Sequence, residues 1–132
     1  MKKGILHHVE LYVSNLAKTI EFWGWLLEEL GYEEFQSWEK GRSWKLGETY
    51  LVFVQTEERF LDIPYHRSRV GLNHLAFHAD SVEEVDMLRG KLADRGVPFL
   101  YADRYPSRQE KPYAIFFEDP DRIKVEIVFS AM

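Results

Sequence analysis

The chain has 132 residues, 45% hydrophobic and 15% aromatic, which fits one domain with a packed core and excludes a disordered chain. Its 17 Lys and Arg stand against 22 Asp and Glu, a net charge of -5, so no nucleic-acid partner is expected: phosphate binding needs a concentrated basic face. With 0 cysteines, disulfides, thiolate metal sites and a cysteine nucleophile are excluded, and the apolar runs fall far short of the ~20 residues of a membrane span, so a cytoplasmic protein without membrane contact is expected.

Taken in order, the elements come twice. His8-Val-Glu-Leu-Tyr-Val-Ser-Asn-Leu aligns with His74-Leu-Ala-Phe-His-Ala-Asp-Ser-Val at an offset of 66 residues, half of the 132. Each stretch alternates strictly, which predicts a strand with one apolar and one special face. In the first, Val9, Leu11 and Val13 oppose His8, Glu10 and Tyr12; in the second, Leu75, Phe77 and Ala79 oppose His74, Ala76 and His78. A helix follows each. The first is capped by Ser14 or Asn15, carries Leu16, Ile20, Trp23, Leu27 and Leu30 as its apolar stripe, and stops at Gly31. The second opens on a capping box of Ser81 and Glu84, carries Val82, Val85, Leu88 and Leu92, and stops at Gly96. Three strands are predicted after each helix: about 33–38, 43–46 and 49–55, then about 99–101, 113–117 and 123–129 with Asp119-Pro120-Asp121 as a turn. The predicted class is α+β, two tandem βαβββ modules forming curled mixed sheets around a cavity. Module one is set at about 4–56, the linker at about 57–70 and module two at about 71–130 of a single domain.

Strand geometry sorts the five histidines. As strand neighbours, His7 and His8 should face opposite sides and not serve one ion. His74 and His78 lie ~13 Å apart along a strand, too far to share one. His8 and His74 hold the same place in the repeat, on the face away from the helix. Glu126 sits on the same kind of face, since Ile123, Val125, Ile127 and Phe129 alternate with Lys124, Glu126 and Val128. Two histidines and a carboxylate suit one divalent ion, Zn, Mn, Ni or Fe, with open positions. A strand histidine by itself is usually a surface or hydrogen-bonded residue, the reading given to His7, His66 and His78. Glu10 reads equally as a general base or as a salt-bridged cavity residue. Trp23, Trp25, Trp38 and Trp44 read as core or dimer contacts before substrate platforms. No Gly-rich phosphate loop, dinucleotide fingerprint or nucleophile elbow is present.

The pattern resembles the vicinal oxygen chelate superfamily, the glyoxalase, bleomycin-resistance and dioxygenase group. The resemblance rests on His8-Val-Glu-Leu-Tyr-Val-Ser-Asn-Leu with Phe22-Trp23 and Leu30-Gly31, on Gly71-Leu-Asn-His74-Leu-Ala-Phe, and on Phe116-Phe-Glu-Asp-Pro-Asp-Arg-Ile-Lys-Val-Glu126. It implies metal ligation by His8, His74 and Glu126. Glyoxalase I and the related epimerases add a fourth ligand, whose place here is Val52, which cannot coordinate. Arg122 replaces the Gly usual after Asp-Pro-Asp. The function expected is a small metal-dependent enzyme in which the ion chelates vicinal oxygens of a small organic substrate, as lyase, isomerase, thiol transferase or dioxygenase. Glu10 would move the proton, and Tyr12, Trp44, Val52 and Phe116 would wall the substrate cavity. The alternative is a metal-free antibiotic- or small-molecule-binding protein of the bleomycin-resistance type; a third reading keeps the metal only as a relic in a protein-contact module. A homodimer is expected, because a half-cup of curled sheet needs a partner module to close it, from the same chain or another, and the linker is long enough for either pairing.

Overall fold

A computed structural model describes residues 3–131. They fall into two compact units, one ending at Pro64 and the other beginning at Tyr65. The break lies inside the stretch expected to link the modules.

The first unit is built from β1 (His8–Val13), β2 (Glu33–Trp38), β3 (Gly41–Leu46) and β4 (Thr49–Gln55), ordered β1-β4-β3-β2. β1 runs parallel to β4 and the remaining pairs are antiparallel, so the sheet is mixed. Its apolar face carries Val13, Leu51, Phe53 and Trp44, all buried. The helix expected between Asn15 and Gly31 comes in three pieces: α1 (Leu16–Thr19), a π-helical turn at Ile20–Gly24, and α2 (Trp25–Glu29). Asn15 caps it, its side chain accepting from the Lys18 N–H at 3.1 Å. The π turn widens one turn and shifts the phase of the buried stripe. Phe22, Trp23, Gly24, Leu26 and Leu27 are buried, whereas Leu16, Ile20 and Leu30 of the expected stripe stay half-exposed. Gly31 ends the helix at φ +94°, and Tyr32 N–H closes back on Leu27 O at 2.9 Å.

Of the four tryptophans, Trp23 and Trp44 are core. Trp23 stacks on Phe53 at 5.1 Å. Trp38 stands exposed on β2. Trp44 requires a correction: it pairs with Leu51 across β3 and β4, so it faces the helix and not the opposite, polar-lined side. It is 1% exposed and packed over Gly24, and therefore leaves the list of cavity residues.

The second unit repeats the plan. β5 (His74–His78), β6 (Phe99–Leu100), β7 (Tyr113–Glu118) and β8 (Lys124–Phe129) are ordered β5-β8-β7-β6, with β5 parallel to β8. Phe77, Ile115, Phe117, Val125 and Ile127 share the face toward α3 (Val82–Asp94), whose Val85, Leu88 and Leu92 are buried. Ser81 caps α3 by accepting from Glu84 N–H at 3.0 Å. The return bond of the expected capping box lands one residue early, from Asp80 N–H to Glu84 Oε1 at 2.7 Å. Asp119 Oδ1 accepts from both Asp121 N–H and Ile123 N–H at 2.8 Å, which shapes the turn into β8. Neither sheet closes on itself, so the architecture is α+β with two repeated modules, as predicted.

Candidate functional site

In the second unit the face away from α3 is set by register. His74 pairs with Lys124, Ala76 with Glu126, and Glu126 with Phe116 on the other flank. His74 and Glu126 are thus diagonal neighbours on adjacent strands, 52 residues apart in sequence, and His74 Nε2 lies 3.2 Å from Glu126 Oε1. Their side chains are 34% and 16% exposed, so both are partly withdrawn from water yet still reachable. On its other side the ring meets Asn73, with His74 Nδ1 at 2.7 Å from Asn73 Oδ1. Asn73 Nδ2 donates to Arg67 O at 3.2 Å, and the Arg67 guanidinium pairs with Glu118. Beside the carboxylate, Phe116 meets Tyr101 and Tyr105 edge-on at 5.4 and 5.0 Å. Lys124 Nζ donates to Tyr101 Oη at 3.2 Å, which places one positive charge against that aromatic wall.

In the first unit the same positions carry different chemistry. His8 pairs with Tyr50 and stacks on its ring at 4.8 Å with the planes 6° apart. Glu10 pairs with Val52, the register that Ala76 and Glu126 occupy in the second unit. Val52 is therefore the positional counterpart of Glu126, and the carboxylate has changed strands between the modules. Tyr12 and Glu10 are exposed on this face, and Val52 is buried. His7 departs from expectation. It precedes β1, so strand alternation does not reach it; its ring meets Tyr50 edge-on at 5.4 Å and its Nδ1 lies 2.9 Å from His8 Nδ1.

Residues 5–127 match the Glyoxalase/Bleomycin resistance protein/Dioxygenase superfamily. The chain belongs to this superfamily. It is 56% identical over 124 residues to the uncharacterized protein YqjT of Bacillus subtilis (strain 168), spanning 93% of this chain and 97% of that one. Among solved structures it is similar to a candidate glyoxalase from Bacillus halodurans, at 60% identity, a TM-score of 0.94 and 96% coverage of both chains. It also resembles the fosfomycin resistance protein FosX from Listeria monocytogenes, at 25% identity and a TM-score of 0.70, covering 100% of this chain and 97% of that one.

Superfamily membership makes a bound metal a chemical question about these residues. Two ligands of one ion with bonds of about 2.1 Å sit roughly 3.0–3.4 Å apart, depending on whether they subtend a right or a tetrahedral angle. The 3.2 Å between His74 Nε2 and Glu126 Oε1 falls in that window, and one nitrogen with one carboxylate oxygen is a borderline donor set suited to Zn, Mn, Ni or Fe. The spacing suits a shared ion and equally a direct hydrogen bond between the two side chains. Among the described residues, no three His, Asp or Glu side chains are gathered where they could hold a metal ion. His78 is exposed at the far end of β5. His66 is engaged locally, its Nδ1 accepting from Ser68 N–H at 3.0 Å. A separate cavity of about 550 Å³, lined by Val82, Arg108, Lys111, Tyr113 and Phe129 among others, opens on the α3 side of the second sheet; none of Tyr12, Val52 or Phe116 lines it. Sequence reasoning passed over Asn73 and Tyr50, and set His7 aside as a surface or hydrogen-bonded residue. The signal present was adjacency: both His7 and Asn73 directly precede a strand histidine.

Proposed function

We propose that this superfamily member is a metal-dependent enzyme acting on a small organic substrate through two neighbouring oxygens, with His8, His74 and Glu126 as its protein ligands. The observation that carries the reading is the 3.2 Å approach of His74 Nε2 to Glu126 Oε1 across adjacent strands. His8 is proposed as the third ligand from the equivalent place at the start of β1, where its ring stacks on Tyr50 at 4.8 Å. A divalent ion held by these residues would supply Lewis acidity toward a substrate oxygen. The chain's own residues do the rest. Phe116, Tyr101 and Tyr105 offer an apolar flank, and Lys124 attracts an anionic group of the substrate. Glu10, with no carboxylate partner across the strand at Val52, serves as the group that accepts or returns a proton. Val52 leaves the ion three protein ligands, so positions stay open for substrate oxygens.

Metal titration of chelator-treated protein tests this. The wild type should take up one equivalent of Ni²⁺ or Mn²⁺. His8→Gln, His74→Gln and Glu126→Gln should each weaken uptake by about 100-fold or more, beyond the ~10–100-fold cost of losing a group that only touches a ligand. His78→Gln should leave uptake unchanged. At metal concentrations ~100 times Kd, stability should rise by about 2.7 kcal/mol, read as a shift in Tm. Protein that takes up no Ni, Mn, Fe or Zn would overturn the enzyme reading and leave a metal-free binding protein of the bleomycin-resistance type.

A further inference from the structure

We infer that Asn73 is a positioning residue that sets the tautomer of His74, and that the position preceding the strand histidine holds that ring in both units; the inference rests on the metal reading above. The Asn73 amide is not free to turn. A carbonyl oxygen accepts only from an N–H, so the 3.2 Å contact with Arg67 O assigns the amide nitrogen to that side and turns Oδ1 toward His74. Arg67 is itself anchored, its guanidinium paired with Glu118 and donating to Arg122 O at 3.3 Å. An amide oxygen carries no hydrogen, so at 2.7 Å the ring proton must sit on Nδ1 of His74. In the neutral ring Nε2 then turns a lone pair toward Glu126 Oε1, 3.2 Å away, whereas a protonated ring would donate to it. Two acceptors at that distance repel unless a cation lies against both, set to one side of the line that joins them.

The opposite tautomer would give Nε2–H to Glu126 and close the pair as an ordinary hydrogen bond, at the cost of setting a lone pair against Asn73 Oδ1. The first unit repeats the device with another residue type. His7 Nδ1 lies 2.9 Å from Nδ1 of His8, so the residue before the strand histidine engages that nitrogen here too, with one proton shared from either ring. A neighbour that fixes the non-ligating nitrogen is what a metal-binding imidazole needs, because it selects the tautomer and holds the ring plane.

The test uses the full chain labelled with ¹⁵N-histidine, metal-free, at pH about 8.5, about two units above the ordinary histidine value. Two-bond proton–nitrogen spectra read each ring's tautomer, and the signal lost in His74→Gln assigns that ring. The wild type should show Nδ1–H at His74. Asn73→Leu should move the proton to Nε2 and lower Ni²⁺ affinity by ~10–100-fold, whereas Asn73→Asp, which keeps an acceptor oxygen, should hold the Nδ1–H form. Wild type in the Nε2–H form would overturn the inference without any variant having to fold. So would Asn73→Leu with tautomer and affinity unchanged. Failure of the metal reading looks different: His74→Gln would then bind Ni²⁺ as well as wild type, whatever the tautomer.

Discussion

Arg122 holds the backbone at φ +65°, where a β-carbon crowds the neighbouring carbonyl and L-residues pay roughly 1–2 kcal/mol. Its side chain returns little: Arg122 Nε lies 3.4 Å from Glu118 Oε2, but the arginine is 70% exposed and water screens the pair. Glu118 keeps Arg67 as its nearer partner. Arg122→Gly should therefore stabilise the chain by about 0.5–1 kcal/mol after the entropy that glycine adds to the unfolded state. Urea denaturation checks it, with a higher midpoint at an unchanged slope. The departure from glycine was visible in the sequence. Its backbone consequence was not, because whether a turn residue adopts positive φ depends on where the next strand must start. For Asn73 and His7 the limit is similar: adjacency to a histidine is legible, but which ring nitrogen is engaged depends on where the strand begins.

Among the elements, the first helix shows most clearly how a local pattern is overridden. The apolar spacing of Leu16 to Leu30 fits an unbroken α-helix, yet the chain takes a π turn at Ile20–Gly24. The turn brings Gly24 against the Trp44 indole, where an added β-carbon would sit 3.0 Å from the ring. Trp44 cannot step aside cheaply: it is buried, edge-on to Phe53 at 6.0 Å, and its Nε1–H donates to Glu28 Oε2 at 3.4 Å. Helix propensity favours Ala over Gly by about 1 kcal/mol, whereas overpacking a core costs about 1–3 kcal/mol. Gly24→Ala should thus destabilise the protein by about 1 kcal/mol. A denaturant midpoint above wild type would mean that Trp44 yields and that the π turn is not set by this contact. Strand parity, in contrast, needed little correction, since side-chain direction in a strand depends only on odd or even position.

For the molecule as a whole, three tyrosines make stability depend on alkaline pH. Tyr32, Tyr65 and Tyr113 are each held above the ordinary tyrosine value of 10.0, chiefly by burial. Asp119 adds to the effect at Tyr65, and at Tyr113 the hydrogen bond to Asp86 does so. Tyr65 Oη donates to Leu72 O at 2.7 Å, and Tyr113 Oη donates to Asp86 Oδ1 at 2.6 Å. The folded state binds these protons more tightly than the unfolded state, so the stabilisation is complete below pH about 10 and is lost as pH rises through the folded values. Thermal melts from pH 8 to 11 should show Tm falling above pH about 10. Tyr65→Phe combined with Tyr113→Phe should flatten that fall, at a cost of about 1 kcal/mol per lost hydrogen bond at neutral pH. An equally steep decline in the double variant would assign the dependence to other groups.

From the sequence alone came the duplication, the α+β class, the glycine stops at Gly31 and Gly96, and the face on which His8, His74 and Glu126 stand. These follow from order along the chain: a repeat at half length, strict alternation, and residue types that cap or end helices. Tertiary structure decided the rest, because it turns on which residues meet across long separations. Register pairs Glu126 with Ala76 and Phe116 but Glu10 with Val52, so the carboxylate changes strands between the units. Pairing with Leu51 turns Trp44 into the helix-side core. The anchor of Arg67 on Glu118, 51 residues away, steadies the carbonyl that orients Asn73, and so decides which nitrogen of His74 faces Glu126. No periodicity encodes that chain of contacts; it exists only once the strands have paired.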